Sequence, residues 1–138
     1  VPADGYYEWA TALGKFPPKQ PFYIAREDGA CLAMAGIWST WISPAGRAMD
    51  NVAIITREAL GIVAPVHSRM PLLMPKDRWE SWLDPELQEV GELRGLMEFS
   101  SPDLGLTVHA VSRRVNSVAN NGPAMIEPVI MGEPETLF

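Results

Sequence analysis

QPFYIAREDGACLAMAGIWSTW, residues 20–41, carries the reading that sets the architecture. PFYIA is dense in aromatic and β-branched residues, the composition that packs well on a pleated surface. Asp28-Gly29 follows as a turn signal, because glycine enters positive φ without a Cβ clash. CLAMAGIWSTW (31–41) then reads as the returning strand. Residues 20–41 are therefore expected to form a hairpin, which makes the sheet antiparallel.

Outward from that hairpin the chain keeps switching period. ISPAGRAMD (42–50) reads as loop and NVAIIT (51–56) as a short apolar strand. Residues 57–66 are ambiguous, with Gly61 and Pro65 keeping any helix short. HSRMPLLMP (67–75) reads as loop, then strand. In KDRWESWLDP (76–85), Trp79, Trp82 and Leu83 share one helical face, which predicts a core-facing helix ended by Asp84-Pro85. Leu87, Val90, Leu93 and Leu96 predict a second helix over 86–97, weakened by Gly91. LTVHAVS (106–112) alternates as a strand, residues 113–128 are turn-rich, and the tail beyond Pro128 is expected to be loosely held. Strands with two short helices inserted late predict an α+β domain built on antiparallel sheet.

Bulk properties fit one domain. The chain has 138 residues, 47 % hydrophobic and 20 % charged, an ordinary globular balance with enough length to bury a core. Thirteen prolines and eleven glycines favour short elements over a helical bundle. The net charge of −6 speaks against sequence-blind coating of duplex DNA, leaving room for a local basic patch if Arg57, Arg69, Arg113 and Arg114 are gathered. No apolar run is long enough to cross a bilayer, and no signal peptide opens the chain. The single cysteine, Cys31, excludes an internal disulfide and is expected to be a buried structural thiol. The start on Val1-Pro2-Ala3 suggests a C-terminal piece of something longer, though processing could also produce it.

Most catalytic signatures are missing. Two histidines 42 positions apart give no metal-ligand spacing. No phosphate loop, dinucleotide fingerprint or nucleophile elbow occurs. Two stretches remain. In HSRMP (67–71), His67 and Arg69 point to one side of an extended chain. Imidazole moves protons near neutral pH and guanidinium clamps phosphate, so the pair suits acid–base work beside a phosphodiester. Spacing alone weighs this evenly against a polar loop in which His67 caps the backbone. In DGYYEW (4–9), strand alternation puts Tyr6 and Glu8 on one face, Tyr7 and Trp9 on the other. A carboxylate among rings is a general acid–base candidate, and an indole is a stacking surface for an unpaired base. The residues by themselves favour a structural glutamate and a core tryptophan. His109, inside a strand, reads as a satisfied structural histidine.

Taken in order, VPADGYYEW, PFYIA, AGIW, the Thr56 closing NVAIIT, HSRMP, Trp82-Leu83, VSRRVN and Gly-Pro-x-x-Ile-x-Pro resemble the SOS response-associated peptidase (SRAP) family from Val1 to about Pro128. The resemblance reverses the lean on Glu8. It implies a mainly antiparallel, barrel-like α+β fold with a few short helices. It also implies a domain that binds single-stranded DNA at abasic sites without cofactor or metal, as a cytoplasmic monomer (nucleoid-associated in a bacterium). In the family, an N-terminal cysteine exposed by removal of the initiator methionine cross-links to the sugar aldehyde as a thiazolidine. Glu8 and His67 match the proton-transfer positions. Arg69 matches a phosphate contact, Trp9 a residue beside the DNA, and Thr56 a residue lining the site. Asn116 matches a structural or site-edge position. The family's Met-Cys-Gly-Arg start is not in these 138 residues, so 1–138 is expected to be a partial domain that lacks its nucleophile. Whether it is an enzyme stays open, the alternative being a non-catalytic single-strand-binding or interaction module. A carboxylate- or metal-dependent hydrolase using Glu8 and His67 ranks below both.

Overall fold

The computed structural model describes residues 1–11, 16–98 and 104–131. Its centre is a three-stranded antiparallel sheet of β2 (Gly5–Trp9), β3 (Pro21–Arg26) and β9 (Leu106–Ala110), ordered β2-β3-β9. Register makes the two faces explicit. Tyr6 pairs with Ile24 and Ile24 with Val108; Glu8 pairs with Phe22 and Phe22 with Ala110. That face carries the core. Ile24, Ala59, Val63 and Met70 form one buried cluster, and Ala10, Phe22, Val66 and Ala110 form another. A fully buried aliphatic side chain such as Ile24, with no exposed surface, contributes about 1.5–3 kcal/mol. The opposite face carries a ladder of rings: Tyr7 and Tyr23 lie 5.4 Å apart, Tyr23 and His109 5.8 Å.

Gly5 makes that ladder possible. A Cβ there would sit 2.4 Å from the phenol end of Tyr23 and 2.6 Å from the Ile24 carbonyl. The ring of Tyr23 therefore lies over bare backbone, the arrangement in which an aromatic side chain covers a strand glycine.

Around this sheet lie three two-stranded ribbons. β1 (Pro2–Ala3) pairs with β4 (Leu32–Ala33), β5 (Gly36–Ile42) with β6 (Ala48–Ile54), and β7 (Thr56–Glu58) with β8 (Arg69–Pro71), all antiparallel. Two helices, α1 (Trp79–Leu83) and α2 (Val90–Met97), complete the α+β architecture. Among the described residues the strands do not close into a barrel.

Antiparallel pairing is as expected, but the partners differ. The predicted hairpin 20–41 does not form. β3 has both edges taken, by β2 and β9. The Asp28-Gly29 turn does exist, with Gly29 at φ 71° and Asp28 accepting from the Ala30 N–H, yet it leads into β4. The second run then breaks at Ala35, and its latter part, β5, hairpins forward with β6. Four of the nine residues of the predicted loop 42–50, Ile42 and Ala48 to Asp50, are therefore strand. Only the tip turns: Gly46 stands at φ 76° and donates to the Ser43 carbonyl, while Ser43 Oγ accepts from the Arg47 N–H. Asp50, the last residue of the predicted loop, pairs with Thr40, whose hydroxyl donates to it at 2.6 Å.

Cys31 is exposed rather than buried. It sits just after the turn, and burial in that run begins at Leu32. Its thiol donates to Asp4 Oδ1 at 3.4 Å, and the carboxylate beside it pushes the thiol pKa up. The first predicted helix starts as a 3₁₀ turn (Lys76–Arg78) and continues into α1, too short to bury its whole apolar face. Trp82 packs on the cluster of Ala35, Leu72 and Met74, while Trp79 is 39 % and Leu83 76 % exposed. The second helix begins later than predicted, at Val90, because Glu89 caps it by accepting from the Glu92 N–H at 2.7 Å. His109 is satisfied as expected, its Nε2 lying 2.8 Å from the Ile126 carbonyl oxygen. Val129 is held by a bond from its N–H to the Ala110 carbonyl; the rest of the expected loose tail, from residue 132, lies outside the described residues. Among the described residues no helix is long and apolar enough to cross a membrane.

Candidate nucleic-acid site

Glu8 stands near the end of β2, on the core side, where the apolar floor of Phe22 gives way to solvent. Its Oε1 accepts from the Trp9 N–H at 3.1 Å. Its Oε2 lies 3.9 Å from His67 Nδ1. The two side chains are 23 % and 29 % exposed, so the pair is reachable yet partly desolvated.

His67 owes its place to the segment before it. After the 3₁₀ turn Gly61–Val63, the Val66 and His67 N–H groups both donate to the Val63 carbonyl. Val63 and Val66 are buried, and the Thr11 N–H donates to the Val66 carbonyl, tying the end of β2 to the residue before the histidine. His67 Nδ1 accepts from the Arg69 N–H at 3.1 Å and lies 3.0 Å from the Arg69 carbonyl oxygen. A lone pair on Nδ1 meets the N–H; a proton on Nδ1 meets the carbonyl. The Arg69 backbone thus partners either state of Nδ1, and among the described residues Nε2 has no hydrogen-bond partner.

Arg69 extends from β8 to β7, where its Nη2 donates to Thr56 O and Thr56 Oγ1, each at 2.8 Å. One guanidinium nitrogen is committed to positioning; the others can meet a phosphate oxygen. Glu8, His67, Arg69 and Thr56 are therefore one contiguous set drawn from β2, β7, β8 and a loop. Arg57 does not join Arg69. It pairs with Met70 in the register, so alternation places it on the other face of the ribbon.

Trp9 and Asn116 form a second pair. Trp9 is on the opposite strand face from Glu8, 38 % exposed, and its indole N–H donates to Asn116 Oδ1 at 2.7 Å. Asn116 ends the 3₁₀ turn Arg113–Asn116, which Ser112 caps through its hydroxyl. Arg113 and Arg114 are exposed on that turn.

Two further residues shape the site without having been singled out from the sequence. Gln20, 9 % exposed, donates from Nε2 to both the Pro21 and Val111 carbonyls, stitching the turn that follows β9 to β3. Tyr6 shares the face of Glu8; its hydroxyl is buried without a hydrogen-bond partner among the described residues, and burial, with the Glu8 carboxylate adding to it, raises its pKa. A polar group at the mouth of an apolar strand was the available signal for Gln20. Alternation was the signal for Tyr6. Among the described residues no three His, Cys, Asp or Glu side chains cluster as a metal site.

The chain is similar to known proteins over most of its length. The chain is 31 % identical over 127 residues to the abasic site processing protein YoqW of Bacillus subtilis, covering 92 % of this chain and 55 % of that one. It is 33 % identical over 129 residues to the abasic site processing protein YedK of Escherichia coli, covering 92 % and 55 %. It is 34 % identical over 155 residues to the abasic site processing protein HMCES of Gallus gallus, covering 98 % and 44 %. The chain thus spans about half the length of the curated relatives it matches. A crystal structure of a Bacteroides thetaiotaomicron protein shares its fold with a TM-score of 0.77 at 24 % identity, covering 94 % of this chain and 56 % of that one. A phage-related protein from Bordetella bronchiseptica matches with a TM-score of 0.59 at 32 % identity, covering 82 % and 52 %. The sequence model of the SOS response associated peptidase (SRAP) family matches residues 1–118, and the chain belongs to that family.

Proposed function

We propose that this chain is the acid–base and phosphate-contacting part of a domain that processes abasic sites in single-stranded DNA. The observation that carries the reading is the contiguous set Glu8, His67, Arg69 and Thr56. Relatives named abasic site processing proteins supply the substrate class.

In the proposed reaction, an α-amine and thiol come from an N-terminal cysteine elsewhere in the full-length polypeptide. The amine adds to the C1′ aldehyde of the ring-opened sugar, and the resulting hydroxyl leaves as water once protonated, giving an imine. The thiol then adds across the imine carbon and its proton goes to nitrogen, closing a thiazolidine. No oxidant or further reactant is needed. His67, through Nε2, moves protons in the addition and water-loss steps; Glu8 supports the protonated imidazole; Arg69 holds a flanking phosphate; Trp9 offers a stacking face. Full-length protein incubated with an oligonucleotide bearing one abasic site should give a heat-stable adduct on a denaturing gel, formed much more slowly by Glu8→Gln. Unchanged rates in that variant would remove the proton-transfer role. The 138-residue chain alone should give no such adduct, since Cys31 has no free α-amine.

A second reading is a non-catalytic single-strand-binding module. The observation favouring it is the exposed indole of Trp9, a stacking face that binds a base without any nucleophile. Reversible binding by full-length protein with no adduct would select it.

The proposal extends to domain organisation. Every residue of β6 is exposed, and the β5–β6 ribbon presents Trp38 at 75 %, Val52 at 63 % and Ile37 at 59 % exposure, on both of its faces. Val1 lies against the base of this ribbon, 3.4 Å from where a Gly36 Cβ would stand. A polypeptide segment preceding Val1 would emerge there and cover the ribbon. A sharp cooperative melt of the 138-residue chain alone would count against this.

A further inference from the structure

Asn116 reaches the site through Trp9, and that contact assigns it a role. An indole N–H can donate but not accept, so the 2.7 Å bond to Asn116 Oδ1 defines which amide atom faces Trp9. Trp9 closes the strand with its side chain on the ring-ladder face and is 38 % exposed. An exposed indole on a strand end has staggered alternatives to sample, and one bond at its far edge is enough to select among them.

The support behind Asn116 is rigid. Ser112 Oγ accepts from the Arg114 N–H, and the Val115 and Ser117 N–H groups donate to the Ser112 and Arg114 carbonyls. Asn120 Nδ2 also donates to the Arg114 carbonyl at 2.7 Å. The turn is joined to the sheet where Trp9 pairs, because the Val111 N–H donates to the carbonyl of Pro21, the cross-strand partner of Trp9. Buried Gln20 ties the same two residues together, its Nε2 donating to the carbonyls of Pro21 and Val111. Turn and indole are thus referenced to one point on β3.

We propose that Asn116 is a positioning residue that sets the plane of the Trp9 indole, and so the stacking surface offered to a base beside the abasic nucleotide. This rests on the single-strand reading proposed above and deepens it: Asn116 acts through Trp9 rather than by touching DNA itself. A preset indole needs no ordering when the base arrives.

The test uses full-length protein and two readouts. The first is the indole ¹⁵N–¹H resonance of Trp9, identified by its disappearance in Trp9→Phe. Asn116→Ala should shift it and speed its solvent exchange, and Asn116→Asp, which keeps an oxygen acceptor, should restore it. The second is affinity for a single-stranded oligonucleotide with one abasic-site analogue, read by fluorescence anisotropy. Asn116→Ala should weaken binding about five- to tenfold, part of the stacking contribution of a base on an aromatic ring. On the Trp9→Phe background the same change should have no further effect, because phenylalanine has no N–H to hold. A resonance unmoved by Asn116→Ala, or a loss of affinity that persists in the double variant, overturns the proposal. Failure of the unmutated protein to bind the oligonucleotide would instead sink the single-strand reading, with the indole resonance still reporting on the bond.

Discussion

Glu8 Oε2 and His67 Nδ1 face each other at 3.9 Å, with the Arg69 N–H already bonded to that same imidazole nitrogen. The Arg69 carbonyl oxygen also lies 3.0 Å from that nitrogen, so carboxylate and backbone converge on one imidazole edge. If the pair works as a unit in adduct formation, Glu8→Gln and His67→Ala should each slow it by roughly 10²–10⁴-fold, and the double variant by little more than the worse single one. Single-turnover rates of full-length protein check this; additive losses would mean independent roles.

Arg69 is half committed to Thr56. Replacing it by Ala should lower the slope of log affinity for single-stranded DNA against log salt by about 0.7, one phosphate's worth. Thr56→Val leaves the carbonyl acceptor in place and should have a smaller effect. An unchanged slope in Arg69→Ala would remove the phosphate contact.

Gly5→Ala places a methyl 2.4 Å from Tyr23 and 2.6 Å from a backbone carbonyl. Overpacking of this kind costs about 1–3 kcal/mol. Denaturant melts should show that loss, and adding Tyr23→Leu should recover only part of it, because the Ile24 carbonyl remains. Full recovery would show that the ring alone needs the glycine.

Cys31 donates its thiol proton to Asp4, which raises its pKa. Alkylation by iodoacetamide near pH 7.5 should be slow for an exposed cysteine, and Asp4→Asn should accelerate it. Equal rates would mean that the Asp4 contact does not govern the thiol.

Arg26 grips Asp28 with two bonds, at 2.8 and 2.5 Å, and this holds the Asp28 carboxyl at about 2. Because the folded value is depressed, the contribution is present above the ordinary carboxylate range near 4 and fades as pH falls from there toward 2. A carboxyl NMR titration should place Asp28 well below its ordinary midpoint, and Arg26→Met should raise it only part of the way, because the Ala30 N–H still donates to the carboxylate. The Arg26 side chain is 37 % and that of Asp28 55 % exposed, so solvent screens the pair and the effect on global stability is small.

Much of this was legible in the chain. Aromatic and β-branched runs become strands, because their side chains fit a pleated half-buried surface. Asp28-Gly29 turns, and Asp84-Pro85 ends a helix, because glycine and proline act on their own backbone. The motif string named the family and nominated Glu8, Trp9, Thr56, His67, Arg69 and Asn116. What it could not assign was partnership. The run at 31–41 had the composition to pair with 20–27, but β2 and β9 take both edges of β3. His67 meets Glu8 only because two buried valines and a bond from Thr11 seat its loop at the end of β2. Trp9 and Asn116 join across 107 positions. Local conformation follows from each residue's own sterics and is written in sequence; long-range pairing follows from which edges and apolar faces are already occupied, and only the folded chain decides that.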